Sequence, residues 1–169
     1  MTDLVVGRWG ARFGGRRLPC AVGRGGIGEK RREGDGVTPL GRHRIEVVLV
    51  RADRLPRALV ARLGGGPRGS IGLGDGWSDD PADPAYNRPV RRPHPFGHER
   101  LRRADHQYDL VAALDWNRAP VVAGRGSAIF LHVWKGPRRP TAGCIAFRRG
   151  DLAFVLARWS ARSRVVVQR

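Results

Sequence analysis

The sequence predicts a mainly β protein, a sandwich or barrel with one or two short helices and a long proline-rich loop. Short apolar runs recur along the whole chain, and clusters of glycine and proline separate them. No internal repeat and no regular alternation of strand and helix patterns is visible, which argues against a parallel α/β fold. At 169 residues the chain is long enough for one domain with a hydrophobic core and too short for two domains of typical size. We therefore expect a single domain spanning residues 1–169.

The first half of the chain contains most of the predicted turns. Runs rich in apolar and β-branched residues predict its strands, at 4–6, 18–22, 43–51 and 70–73. Residues 11–17 are expected to form a turn, and residues 53–63 a short helix that begins at Pro56. Residues 23–36 are rich in glycine and charge, but they lack the Gly-Lys-Ser/Thr ending of a phosphate-binding loop. This segment is therefore expected to be a surface loop.

Residues 77–103 contain five prolines, which exclude a continuous helix or a central strand. A loop of this length in a compact domain is commonly functional or disordered. We expect it to form a lid or wall beside a substrate site, with Tyr86, Asn87, Arg91 and Arg92 as candidate substrate contacts. An ordered loop without a functional role is the alternative.

Three histidines, His94, His98 and His106, lie in or just after this segment. Histidine is a common zinc ligand, so a metal site can be assembled from them on paper. Pro95 and Gly97 disfavour the helix that would bring His94 and His98 onto one face. We therefore expect no metal site; one of these histidines assisting an active site is the alternative.

The second half contains the most regular patterns. Strands are expected at 107–115, 120–122, 128–132, 144–147 and 163–168. Asp151 can cap a helix that runs to about Ser160. The apolar residues of this helix follow the i, i+3, i+4, i+7 spacing of one helical face; they are Leu152, Val155, Leu156 and Trp159.

The candidate reactive residues lie at the ends of two of these strands. The apolar run 128–131 leads into His132, and Thr141, Ala142, Gly143 and Cys144 open the next run. If the two strands are neighbours, His132 and Cys144 can meet, and an imidazolium would stabilise the thiolate and lower the pKa of the thiol. The alternative is a buried structural cysteine beside a structural histidine.

The residues before the cysteine fit the same interpretation. Gly143 lets the backbone approach a substrate closely, and backbone N–H groups at Gly143 and Cys144 can form an oxyanion hole. Thr141 supplies a hydroxyl that can orient His132 or contact the substrate. The other cysteine, Cys20, lies in an apolar run and is expected to be structural, with both cysteines free.

The composition indicates an anionic partner. The net charge is +17, from 32 basic and 15 acidic residues. Such a surface attracts polyanions, either nucleic acid or a carboxylate-rich cell-wall polymer, although an arginine-rich genome would give the same excess. The aromatic strand motif or basic recognition helix of common nucleic-acid modules is not seen, so we expect no nucleic-acid partner. Guanidinium groups bind carboxylates bidentately, and the candidates are Arg91, Arg92, Arg138, Arg139 and Arg148.

Three segments, in this order, resemble the YkuD-type catalytic domain of L,D-transpeptidases. They are GVTPLGRHRI at 36–45, YDLV at 108–111 together with GSAIFLH at 126–132, and TAGCI at 141–145. The resemblance covers roughly residues 18–168. The chain departs from the commonest family pattern at Ala142, where many members have histidine, and at Ala146, where many have arginine.

This resemblance implies a β-sandwich enzyme that acts on peptidoglycan stem peptides through a thioester on Cys144, with His132 as the base and no cofactor or metal. Both 3,3- and 1,3-type cross-links stay open. The alternatives are a carboxypeptidase or endopeptidase on the same scaffold, and a non-catalytic basic module that binds nucleic acid or cell wall. The resemblance places the protein in the periplasm or cell envelope. The sequence shows no secretory signal, no export route and no apolar stretch that could span a bilayer.

Overall fold

A six-stranded sheet carries the predicted reactive residues. The computed structural model describes residues 2–169. The strands of this sheet, in spatial order, are β4 (Cys20–Ala21), β15 (Ile145–Phe147), β14 (Phe130–Val133), β13 (Leu110–Leu114), β8 (Ile45–Val50) and β9 (Arg68–Ser70). β13 and β14 are buried along their whole length, as expected for strands covered on both faces. β14 pairs antiparallel with β13 and parallel with β15.

A second sheet lies across the main hydrophobic core. Its strands, in spatial order, are β3 (Arg16–Leu18), β2 (Gly10–Phe13), β1 (Leu4–Gly7), β16 (Val165–Val167) and β7 (Gly41–His43). Side chains from this sheet, the six-stranded sheet and the helix α2 (Arg149–Leu156) form one buried cluster. Leu152, Val155 and Leu156 of α2 are fully buried, as their helical spacing predicts. The predicted ends of this helix were wrong, because Arg148 is the N-cap, Asp151 lies in the first turn, and the helix ends at Leu156 and not near Ser160. The prediction of a mainly β fold is confirmed.

The proline-rich segment is more regular than the sequence indicates. Strands β10 (Asp75–Ser78), β11 (Pro89–Arg91) and β12 (His98–Arg100) form a three-stranded sheet with β10 in the middle. Pro89 is tolerated because it begins an edge strand, where its missing N–H breaks no ladder. Trp77 on β10 packs edge-on against Phe130 of β14, within a second hydrophobic cluster. The segment is therefore a packed wall and not an open loop.

Two further predictions need correction. The expected turn at 11–17 contains the end of β2 and the start of β3, because Ala11 and Phe13 alternate with exposed residues and point into the core. The true reversal lies at Gly14 and Gly15, both of which have positive φ. No strand forms at 120–122 in the described chain, where the loop after β13 continues.

The remaining elements are short. Helix α1 (Arg57–Arg62) begins just after Pro56, as predicted. Strand β5 (Ile27–Gly28), inside the glycine-rich segment, pairs in parallel with β6 (Thr38–Pro39), which follows it, and Gly23 forms a bridge with Thr141 in the loop that precedes β15. Within residues 2–169, no helix has the length and apolar character that crossing a membrane requires.

Candidate active site

Cys144 lies at the mouth of a cavity, directly before β15. The parallel register pairs Leu131 with Ile145, so Cys144 is level with Phe130. Its Sγ donates a hydrogen bond to the Ala128 carbonyl at 3.1 Å and accepts one from the Phe130 N–H at 3.4 Å. Two backbone groups, one at the start of β14 and one two residues before it, therefore fix the sulfur atom.

His132 lines the same cavity as Cys144, and the cavity has a volume of about 980 Å³. The imidazole is almost fully buried, with the edge of the Tyr108 ring packed against it. Its Nδ1 lies 2.8 Å from the Val133 carbonyl, to which it donates in the Nδ1–H tautomer. Nε2 is then unprotonated and can accept a proton. In the described residues no hydrogen bond joins His132 directly to Cys144.

Both reactive groups are neutral at rest. Burial raises the pKa of the Cys144 thiol to about 12, although the Phe130 N–H acts in the opposite direction. Burial, together with the nearby charge of Arg103, lowers the pKa of His132 to about 4. The expectation of a resting thiolate stabilised by an imidazolium is therefore wrong for the free protein, because burial disfavours the charged form of both groups. A thiol and a neutral base are present instead.

The loop that carries Cys144 is closed by Thr141. The Thr141 hydroxyl donates to the Cys144 carbonyl at 2.6 Å and accepts from the Gly143 N–H at 3.1 Å. It therefore orients the nucleophile loop, and among the described residues it forms no hydrogen bond with His132, the other partner expected for it. The Gly143 N–H is already occupied. The Cys144 N–H has no acceptor among residues 2–169, so it is the better candidate donor for an oxyanion.

Thr38 holds the nucleophile loop through a hydrogen bond to Gly143. The sequence had shown it only as part of the family-like segment 36–45 and not as a site residue. It is completely buried, and its hydroxyl donates to the Gly143 carbonyl at 2.8 Å while accepting from the Gly23 N–H at 2.8 Å. Gly143 has φ 144°, and a Cβ on it would lie 3.0 Å from the Val37 carbonyl oxygen. A glycine is thus required here both by backbone conformation and by space.

Two of the predicted substrate contacts are buried supports. Tyr86 and Asn87 are only 2% and 1% exposed, and neither lines the cavity. The Tyr86 hydroxyl donates to the Glu33 carboxylate. Asn87 Oδ1 accepts from the Ala128 N–H at 3.1 Å, and Ala128 has the uncommon φ of 50°. Asn87 therefore fixes the carbonyl to which the Cys144 thiol donates, and it does not contact substrate.

The structure brings one of the five candidate arginines to the cavity. Arg139 lines it, whereas its neighbour Arg138 points into a separate groove beside β1 and β2. Arg91 and Arg148 are paired with Asp75 and Asp151 respectively. Arg92, too, lies outside the cavity lining.

Several cavity residues were not predicted as site residues. The charged and polar ones are Arg24, Lys30, Glu33, Asp79, Glu99, Arg103, Gln107, Tyr108, Ser127 and Lys135. Of these, only Tyr108 and Ser127 lie in the family-like segments 108–111 and 126–132. Glu99 accepts from the Tyr108 hydroxyl at 3.2 Å and from Arg103 at 3.3 Å, and burial raises the pKa of its carboxyl. Burial also raises the pKa of Asp79. The wall provided by β10 and β12 therefore carries acidic groups that face the nucleophile loop.

The three remaining histidines of the sequence prediction lie outside the cavity lining. His94 Nε2 is 2.6 Å from Asp83, His98 Nδ1 is 2.8 Å from the Phe96 carbonyl, and His106 Nε2 is 3.0 Å from the Trp134 carbonyl. Residues 2–169 contain no group of three or more His, Cys, Asp or Glu side chains arranged to hold a metal ion. Both cysteines are free, and burial raises the pKa of Cys20 to about 11.

Comparison with known proteins gives one clear result. The model of the YkuD family, described as the L,D-transpeptidase catalytic domain, matches residues 12–167, which is nearly the whole chain. No curated protein and no solved structure matches significantly.

Proposed function

Because the chain belongs to the YkuD family of L,D-transpeptidase catalytic domains, which acts on peptidoglycan peptides, we propose that it cross-links stem peptides through a thioester on Cys144. Residues 1–169 act as one catalytic domain, and stem peptides are both acyl donor and acceptor. The observation that carries the proposal is that Cys144 and His132 line one cavity, with Nε2 of His132 free to act as a base.

The first half-reaction uses the neutral pair. His132 Nε2 takes the thiol proton of Cys144, and the sulfur attacks the carbonyl carbon of the L-residue that precedes a D-residue. The Cys144 N–H donates to the oxyanion that forms. When this intermediate collapses, the C–N bond breaks, His132 returns its proton to the departing amine, and a thioester remains on Cys144.

The second half-reaction transfers the acyl group. An acceptor amine attacks the thioester carbonyl and loses a proton to His132, and the C–S bond breaks to regenerate the thiol. The acceptor is the side-chain amine of a diaminopimelate residue of another stem. Both 3,3- and 1,3-type products are compatible with this chemistry, because the linkage depends on which stem residue supplies the carbonyl.

The charges of the cavity support a substrate that has both carboxylates and an amine. Arg24, Lys135 and Arg139 provide cations in the cavity lining, and guanidinium or ammonium groups bind carboxylates. Asp79 and Glu99 in the same lining can attract an ammonium group. Since the family is generally associated with the cell envelope, we place the reaction in the envelope or periplasm.

The test is mass spectrometry of purified disaccharide-peptides incubated with the wild-type protein, with Cys144→Ala and with Cys20→Ala. Cys20 is the matched control because it is the other free cysteine. We expect cross-linked dimers from the wild type and Cys20→Ala but not from Cys144→Ala, and fragmentation gives the linkage. Shortened stems without dimers would instead identify a carboxypeptidase or endopeptidase that uses the same residues. Equal product formation by Cys144→Ala would contradict the proposal.

A further inference from the structure

Lys30 is a buried lysine that lines the same cavity as Cys144. The residue is only 2% exposed, which is rare for lysine. Its side chain passes between two glycines. A Cβ on Gly126 would lie 2.2 Å from Lys30 Cε, and a Cβ on Gly143 would lie 3.5 Å from Nζ. The ammonium group therefore reaches the backbone that immediately precedes the nucleophile.

The ammonium group of Lys30 has unused hydrogen-bonding capacity. Nζ makes a 2.6 Å ion pair with Asp35 Oδ1, and no second acceptor is found for it within residues 2–169. An ammonium has three N–H donors, so two of them have no acceptor among the described residues. Burying a cation with incomplete pairing is costly unless another negative group uses it. In this cavity such a group arises when Cys144 loses its proton.

We propose that the buried Lys30 ammonium stabilises the negative charge on the Cys144 sulfur when His132 removes the thiol proton. Lys30 acts through the charge on Cys144 without contacting substrate, and is thus a positioning residue. Its side chain fits beside Gly126 and Gly143 because neither has a Cβ. This inference rests on Cys144 being the nucleophile of the proposed function.

Among the charged side chains that act on the Cys144 thiol, Lys30 differs from the carboxylates because it lowers the pKa of the thiol. Glu33 from the glycine-rich segment and Glu99 from β12 both raise the pKa of the thiol, and Lys30 lowers it. The buried Tyr108 also interacts with Cys144, and Arg103 disfavours a charge on His132. Because burial has already made the thiolate unfavourable, loss of the Lys30 charge leaves two carboxylates acting against it.

The alternative is that Lys30 only anchors the loop at residues 31–37. Asp35 already performs much of that task, because its carboxylate accepts backbone N–H groups from Arg31, Arg32 and Val37 at 3.0, 3.2 and 2.9 Å. The two explanations predict different results when Asp35 is neutralised. An anchoring role predicts the same defect as loss of Lys30. The electrostatic role predicts a thiol at least as reactive as in the wild type, since the ammonium is retained and its counter-charge is removed.

The experiment measures Cys144 alkylation by iodoacetamide as a function of pH, with the modified peptide quantified by mass spectrometry. This readout needs no peptidoglycan substrate, so it can fail or succeed independently of the transpeptidase assay. The variants are Lys30→Met, Lys30→Gln and Asp35→Asn. Arg31→Met is the control, because Arg31 is the next residue along the chain, its exposed guanidinium pairs with Glu29, and it does not line the cavity. Far-UV circular dichroism and thermal unfolding show which variants retain the native fold.

We expect Cys144 in Lys30→Met to react about tenfold more slowly than in the wild type at each pH between 7 and 9, which corresponds to a rise of about one unit in thiol pKa. Arg31→Met should change the rate less than threefold, and Asp35→Asn should equal or exceed the wild type. Lys30→Gln keeps an N–H donor for Asp35 and serves if Lys30→Met does not fold. Wild-type rates in folded neutral variants at position 30, or a tenfold loss in Asp35→Asn, would overturn the proposal.

Discussion

Replacing Thr38 with valine tests how the nucleophile loop is held. Valine has nearly the same shape as threonine but has no hydroxyl group. The change therefore leaves the Gly143 carbonyl and the Gly23 N–H without their 2.8 Å partner at a completely buried position. An unsatisfied buried polar group costs about 1–3 kcal/mol. With two such groups and some relaxation, we expect a loss of roughly 2–4 kcal/mol in the free energy of unfolding.

Urea unfolding followed by tryptophan fluorescence measures this change, because a lower midpoint at unchanged slope reports a change in stability alone. Thr2→Val is the matched control, since the Thr2 hydroxyl forms no hydrogen bond with the described residues. It should change the stability by less than about 0.5 kcal/mol. A loss below about 1 kcal/mol in Thr38→Val would refute the reasoning, because it would mean that water or another group readily replaces the hydroxyl.

The site leads to three other predictions. Asn87→Ala removes the acceptor of the Ala128 N–H, so it should lower the stability by about 1–3 kcal/mol in urea unfolding and change the rate of Cys144 alkylation; an unchanged alkylation rate would separate Asn87 from the nucleophile. Gly143→Ala should lose about 1–3 kcal/mol by the same measurement, because the positive φ strains alanine and its Cβ would crowd the Val37 carbonyl; wild-type stability would contradict this loop conformation. His132 binds a proton less readily when folded, since burial lowers its pKa to about 4, so the stability should fall as the pH decreases from about 6.5 towards 4, by about 2–3 kcal/mol, and His132→Gln should show a smaller loss.

The identity of the reactive residues Cys144 and His132 could be predicted from the sequence, but their ionisation states could not. Cys144 and His132 could be identified because each ends or begins an apolar run, and neighbouring strands then bring them to one cavity. The ionisation state expected for the resting pair was wrong, because the pKa values depend on burial, which the local sequence does not reveal. The parallel register of β14 and β15 was not predictable either.

The charged residues of the cavity could not be predicted from the sequence either, because their positions depend on the tertiary fold. Lys30 and Glu99 lie in segments where lysine and glutamate are usually solvated, and only the tertiary fold places them beside the nucleophile. Tyr86 and Asn87 were predicted to contact substrate, because polar residues in a proline-rich segment were expected to be exposed at the site. The segment instead forms the sheet of β10, β11 and β12, and it buries them as supports.

The most direct test of the central claim is the intact mass of the protein after brief incubation with a tetrapeptide stem donor whose diaminopimelate side-chain amine has been acetylated, so that no acceptor is present. Wild-type protein and Cys20→Ala should gain the mass of the acyl fragment, and hydroxylamine, which cleaves thioesters, should remove it. Cys144→Ala should gain nothing. An adduct that persists in Cys144→Ala, or the lack of any adduct in wild-type protein that nevertheless converts the donor, would contradict a thioester on Cys144.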